Sequence, residues 1–246
     1  MKIYKKGASQ SYTLGVFPTI ELLENKPNDV KRVVVHSSIE KNSGYPKIKQ
    51  LCETYHIPID MHDKTIDKLS PKNNCYAIGI FDIYESCLSV GNHIVLVNPM
   101  DKGNIGTIMR TMVGFDYANL AIIRPAVDIY DPKVIRASMG ALFHLNVQYF
   151  DDFDSYYQLY SHHEMYPLML KGATNIHQVE SHQLHTLIFG NESSGLDDSY
   201  LNYGQSVFIP HSEQIDSLNL SMALGLTLFH FPRNEFKERK VLRGNV

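Results

Sequence analysis

No stretch of this chain approaches the roughly 18 apolar residues needed to cross a membrane, so no membrane span is expected. The opening Met-Lys-Ile-Tyr-Lys-Lys runs into polar residues instead of an apolar core, which argues against a signal peptide. Cysteine is scarce: Cys52, Cys75 and Cys87 cannot all pair and share no metal spacing, so a reduced, cytoplasmic setting is expected. His162, His163, His177, His182 and His185 follow no zinc pattern and read as surface histidines, so no metal is expected. No Gly-x-Gly-x-x-Gly follows a strand, which weighs against an ordinary dinucleotide-binding fold.

What is present is the composition of an ordinary globular protein, 43% hydrophobic and 20% charged over 246 residues, enough for a substantial core in one domain or two. The net charge of -3 does not by itself favour nucleic acid. Its distribution is uneven: residues 1–75 carry 12 Lys and Arg against 8 Asp and Glu, residues 76–232 carry 6 against 16, and residues 233–246 carry 5 against 2. Basic ends around an acidic centre fit terminal segments that meet phosphate; uneven solvation explains the pattern nearly as well. Lys2, Lys5 and Lys6 beside Tyr4 and Tyr12 would suit phosphate contact and base stacking, or form a frayed terminus.

Residues 1–17 have no clear period. Thr19 to Asn25 reads as a short helix, Arg32 to His36 as a strand, and Ile48, Leu51, Cys52 and Tyr55 as one face of a helix. A strand at Ile57 to Met61 and a helix at Thr65 to Leu69 complete a small α/β unit. Its exit starts at Pro71 with Lys72-Asn73-Asn74. The layout read from the sequence is a small α/β domain over residues 1–80, a linker over 81–91 and a second domain over 92–246.

His93 to Val97 reads as a strand, followed by a helix with a buried stripe of Ile105, Ile108, Met109 and Met112. Asn104 is placed to cap it. Gly106, Arg110 and Gly114 share another face, leaving room beside the guanidinium for a substrate or a neighbouring backbone. Strands are expected at Asn119 to Ile123, Val147 to Phe150 and Pro167 to Leu170, with helices from Pro132 to Phe143 and after Asp151-Asp152. Arg136-Ala137-Ser138-Met139-Gly140 offers small residues for close packing.

The most informative stretch spans residues 187–229. A strand at Leu187 to Phe189 ends at Gly190, and Gly195 closes a polar turn holding Asn191, Glu192, Ser193 and Ser194. A strand at Val207 to Ile209 ends at Pro210. Ser217 is then placed as an N-cap for an apolar helix, buried on most sides, in which Gly225 implies close packing. Strand ends and a helix N-terminus brought together are where open α/β sheets bind ligands. Alternating strands and helices give the fold class: α/β, a mostly parallel sheet with helices on both faces, preceded by the small α/β domain.

Asn191-Glu192 with Ser194-Gly195-Leu196, and Ser217-Leu218-Asn219-Leu220-Ser221, resemble the second and third motifs of the SpoU-type RNA ribose methyltransferases. Asn104, Gly106 and Arg110 resemble the first, Asn-x-Gly-x-x-x-Arg. The likeness covers about residues 92–231, and the upstream segment resembles the substrate-binding domain many members carry. It implies a SPOUT-type C-terminal trefoil knot, a homodimer through the knot region, S-adenosylmethionine as cofactor, and a structured rRNA or tRNA as substrate. Main-chain groups at Gly190, Ile209 and Leu218 would hold the cofactor, and Asn104, Arg110, Glu192, Ser217 and Asn219 would serve catalysis. Glu192 would orient Arg110, take part in proton transfer, or cap the helix after it. A guanidinium stays charged, so Arg110 suits gripping phosphate and stabilising charge on the ribose oxygen better than acting as a base. Members commonly carry Met after the Ile-Pro and Gly two residues on; this chain has His211 and Glu213. The competing readings are a non-catalytic RNA-binding or ribosome-assembly protein that keeps the fold, and a nucleotide-binding α/β enzyme.

Overall fold

A computed structural model describes residues 3–70, 74–171, 174–180 and 184–231. The expected charged tail at 233–246, together with His182, Lys2 and the exit residues Pro71, Lys72 and Asn73, lies outside the described residues.

The N-terminal layer runs β1 (Gln10–Tyr12), α1 (Val16–Asn25), β2 (Val30–Val35), α2 (Tyr45–Thr54), β3 (Ile59–Met61), α3 (Asp63–Leu69) and β4 (Ala77–Asp82). Its sheet is ordered β1-β4-β2-β3, with β4 antiparallel to both neighbours and β2 parallel to β3. The sequence does not announce β1, which is three residues long, or β4. Gly79 breaks the apolar run of β4, and a side chain there would meet the Leu22 side chain at 2.8 Å, so glycine lets α1 pack closely on the strand. Base stacking, one of the two readings open for Tyr4 and Tyr12, does not fit their placement. Tyr12 is buried, and the Tyr4 hydroxyl donates to Asp128 Oδ2 at 2.6 Å.

The second layer runs β5 (His93–Val97), α4 (Lys102–Gly114), β6 (Asn119–Ile123), α5 (Pro132–Ala137), β7 (Asn146–Phe150), α6 (Phe153–Tyr160), β8 (Glu164–Pro167), β9 (Thr174–Asn175), β10 (His185–Phe189), β11 (Val207–Phe208) and α7 (Leu220–His230). Five strands form a parallel sheet ordered β7-β6-β5-β10-β8. Alternate residues face opposite ways. Ile94, Leu96, Leu120 and Leu187 join the cluster holding α4 and α7, and Val95, Val97, Ala121 and Ile188 join the one holding Phe153 and Tyr156 of α6. The expected mostly parallel sheet with helices on both faces is what forms.

Several boundaries move. α5 stops at Ala137 because Met139 and Gly140 take positive φ, and a 3-10 turn at Ala141–His144 replaces the expected continuation to Phe143. At Gly140 a side chain would sit 2.6 Å from Glu21 Cβ, so this kink is where α1 docks. β8 lies three residues earlier than expected: Pro167 ends this edge strand, where a missing N–H is tolerated, instead of beginning it. β11 pairs with β9 in a two-stranded ribbon outside the main sheet. His163 and His185 are buried, not on the surface. Among the described residues no group of His, Cys, Asp and Glu is placed to hold a metal ion, and no helix is long and apolar enough to cross a membrane.

The two layers share one hydrophobic cluster, in which the Phe81 and Phe143 rings meet edge to face at 5.4 Å. The segment between β4 and β5 is stitched along the outer edge of β7. Ser86 Oγ both donates to Val147 O and accepts from Val147 N, each at 2.8 Å, covering backbone groups that would otherwise stand open.

Candidate active site

The site lies beyond the C-terminal ends of β5 and β10, adjacent in the sheet. β5 ends at Asn98, which adopts a left-handed conformation, φ 49°, that asparagine tolerates better than most residues. The Asn98 side chain donates to Arg124 O at 2.6 Å, tying this turn to the end of β6. Its carbonyl accepts from Asn191 Nδ2 at 2.7 Å, tying it to the turn after β10. Asn191 Oδ1 in turn accepts from the amides of Ser193 and Ser194, and Gly195 closes the turn with φ 66°.

Glu192 carries the next link. Its Oε2 accepts from Met100 N at 3.2 Å, and its Oε1 from Asp101 N at 3.1 Å and Asn104 Nδ2 at 3.4 Å. A carboxylate beside the first turn of α4 also complements the positive end of that helix. Asn104 Oδ1 then accepts from Asn219 Nδ2 at 3.1 Å, and Asn219 Oδ1 caps α7 through Ser221 N and Met222 N. One hydrogen-bonded chain therefore runs from the β10 turn through the start of α4 to the start of α7.

Three expected roles are corrected by this chain. Asp101, whose side chain accepts from Asn104 N at 2.7 Å, caps α4, which frees the Asn104 side chain for Glu192 and Asn219. Asn219, not Ser217, caps α7. Glu192 caps no following helix and has no ion pair with Arg110 of its own chain among the described residues; it pins two loops together.

Beside this chain is a cavity of about 560 Å³, within the roughly 300–1,000 Å³ range of small-molecule sites. Gly190, Glu192, Ile209, Ser217, Leu218 and Asn219 all line it. Asn104 touches it only through Asn219 and Glu192. Arg110 does not line it: the side chain is exposed on α4 and has no hydrogen-bond or ion-pair partner among the described residues. Gly106 is covered by α5, since a side chain there would sit 2.3 Å from Ala137 Cβ; space stays open beside Gly114.

S-adenosylmethionine can be tested against these walls. At Gly190 a Cβ would fall 2.1 Å from the Gly195 carbonyl carbon and 2.4 Å from Leu196 N, so only glycine lets the two backbones line the floor together. Phe189, Val207 and Leu220 give apolar surface, while Glu192, Asp198 and Asp216 outnumber Lys171, which pairs with Asp198. An apolar slot with exposed main chain and an acidic lining fits an adenine joined to a sulfonium cation. Asn98, Asp101 and Asp216 were not singled out from sequence. Asn98 is a residue type that tolerates the left-handed region, although the following Pro99 favours extended backbone there; Asp101 is a preferred capping type ahead of a helix, and Asp216 carries no comparable mark.

Comparison with known proteins agrees with this geometry. A family model described as SpoU rRNA Methylase matches residues 91–229. A Listeria monocytogenes protein named as a candidate tRNA (cytidine(34)-2'-O)-methyltransferase is 30% identical over 150 residues, 58% of this chain and 88% of that one. The 23S rRNA (guanosine(2553)-2'-O)-methyltransferase RlmP of Bacillus subtilis is 23% identical, over 59% of this chain and 60% of its own. Among solved structures, the SpoU methyltransferase AviRb of Streptomyces viridochromogenes in complex with AdoMet superposes with a TM-score of 0.77 at 19% identity, covering 93% of each chain. A match over more than half the chain, on the same three segments that converge here, places this protein in the SpoU rRNA Methylase family.

Proposed function

We infer that this protein is an S-adenosylmethionine-dependent RNA 2'-O-methyltransferase acting on a structured rRNA or tRNA. The observation that carries the inference is the Glu192–Asn104–Asn219 chain, which joins the three family motifs at the rim of one cavity. When bound, the cofactor supplies an electrophilic methyl group on a sulfonium centre. Main chain at Gly190, Ile209 and Leu218 would hold it, with Phe189, Val207 and Leu220 offering an apolar wall for the adenine. Asn104 and Asn219, each fixed by its neighbour, orient the ribose, and Ser217 offers a hydroxyl beside them. Glu192 takes part by holding the rim closed.

Arg110 grips the phosphate next to the target ribose and stabilises the charge developing on its oxygen. Since it does not line the cavity of its own chain, it acts in that of a second copy. Support comes from the neighbouring helix: α7 packs on α4 yet exposes Met222, Leu226 and Phe229, an apolar face suited to a homodimer. A Cβ added at Gly225 would come no closer than 3.8 Å to Thr111 Cγ2, so packing within one chain does not demand a glycine there. The SPOUT trefoil knot around the β10 turn and α7 rests on family membership, as does the assignment of residues 1–80 to RNA binding, 81–91 to a linker and 92–246 to catalysis.

Purified protein incubated with labelled S-adenosylmethionine and total RNA should incorporate label as ribose methylation. Comparison of RNA from cells with and without the gene should then locate the nucleotide. Absence of incorporation together with absence of cofactor binding in calorimetry would leave a non-catalytic RNA-binding protein.

A further inference from the structure

The segment from Ile209 to Asn219 joins β11 to α7 without regular structure, yet Ile209, His211, Asp216, Ser217 and Leu218 all line the cavity. A loop that long makes a poor wall unless something fixes it, because ordering it on binding costs affinity. Internal ties are few. Gln214 N donates to Ser212 Oγ at 3.2 Å and Ile215 N to Ser212 O at 3.4 Å, both on the exposed side of the loop. The tie at the cavity is His211, whose ring Nδ1 lies 2.8 Å from the Ile209 carbonyl oxygen. A carbonyl can only accept, so Nδ1 carries the proton and donates.

We propose that His211 is a positioning residue for cofactor binding: by holding the Ile209 carbonyl it locks the β11–α7 loop in the form that walls the cavity. The proposal rests on the cofactor assignment above and extends it to a residue that no motif contains. The ring folds back over two residues, so the main chain at Ile209 presents fixed groups to a ligand instead of a fluctuating segment. The half-buried ring is itself part of the wall, and its Nε2 stays free of protein partners among the described residues.

The geometry supplies its own control. An asparagine side chain places its amide nitrogen close to the position of imidazole Nδ1 and can donate to the same carbonyl, whereas leucine fills space and donates nothing. His211→Leu should weaken equilibrium S-adenosylmethionine binding, read by calorimetry, by roughly five- to tenfold, the factor one net hydrogen bond is worth. His211→Asn should bind within about twofold of the parent, allowing for the spread of such values. In steady-state assays the loss should fall on KM for the cofactor and not on kcat. Hydrogen exchange on the ligand-free protein separates this proposal from the cofactor assignment. Amides of 209–216 should exchange faster in His211→Leu than in the parent and His211→Asn. Equal affinity in all three proteins, equal exchange in all three, or an asparagine variant as weak as the leucine variant overturns the proposal. A parent protein that binds no cofactor but shows the exchange difference overturns the cofactor assignment and leaves the loop tie standing.

Discussion

At the scale of single residues, the site separates groups that build the cavity from the one that does not touch it. Asn104, Glu192 and Asn219 are engaged with one another, so each side chain is spent on geometry before any ligand arrives. Arg110 has no partner among the described residues, and a guanidinium on a surface helix with nothing to hold is cheap to remove. Arg110→Ala should therefore melt at the parent temperature and bind S-adenosylmethionine with parent affinity, while methylation falls by at least about a hundredfold, the scale on which one charge-stabilising donor acts. Arg110→Lys keeps the charge but loses the planar fork, and should recover only part of the rate. Single-turnover methylation beside calorimetry is the measurement; a native rate in Arg110→Ala removes the residue from the mechanism.

At the scale of elements, what could be read from the sequence follows from how each element is buried. β5 and β6, covered on both faces, show as unbroken apolar runs and fall where expected. β4 carries a glycine because α1 presses on it, and β9 has two residues, too few to show any period; β11 is as short but is legible because Pro210 marks its end. Gly190 and Ile209 line the cavity at strand ends that glycine and proline mark, whereas Leu218 carries no such mark and is reached only through the family resemblance. The caps were misassigned because Asn104 and Ser217 are good capping types whose neighbours Asp101 and Asn219 took the role. α7 shows the limit of composition most clearly. Its all-round apolar sequence suggests burial on most sides, yet Phe229 is 78% exposed. An exposed aromatic at this position is neutral in a monomer and central in a dimer. Phe229→Glu should thus shift the protein to a 28.1 kDa species in light scattering, with the far-ultraviolet spectrum unchanged. It should also abolish methylation if Arg110 serves the cavity of a second copy, as proposed. A parent protein already at that mass would refute the dimer.

At the scale of the whole molecule, the parallel sheet has a reactive end and a structural end, and the structural end is rich in buried imidazole. His93 opens β5 and donates from Nε2 to Ser89 O at 3.2 Å, so its Nδ1 accepts from the Tyr156 hydroxyl at 2.9 Å. Tyr156 and Thr186 meet at 2.7 Å, and Thr186 meets His163 Nδ1 at 3.0 Å. This chain crosses from β5 through α6 to β10, the same two strands whose far ends carry Asn98 and Gly190. Burial pushes His163 from the ordinary 6.5 down to about 4, with the neighbouring imidazoles of His93, His162 and His185 adding to the effect. Burial also lowers His93, opposed by the Ser89 carbonyl and reinforced by His162. Both rings are therefore held neutral in the fold, while the unfolded chain takes up their protons as the solution acidifies. The stability they contribute is complete above the ordinary histidine range and is lost as pH falls from about 6.5 toward 4. Thermal unfolding should show a melting temperature that is level between pH 8 and 7 and falls between pH 6.5 and 4.5, as the linkage relation requires. His163→Asn, whose amide can keep the hydrogen bond to Thr186 from the position of Nδ1 but cannot take a proton, should flatten that fall even if its melting temperature at pH 8 is lower. A variant as acid-sensitive as the parent would show that these buried rings do not set the acid limit of the fold.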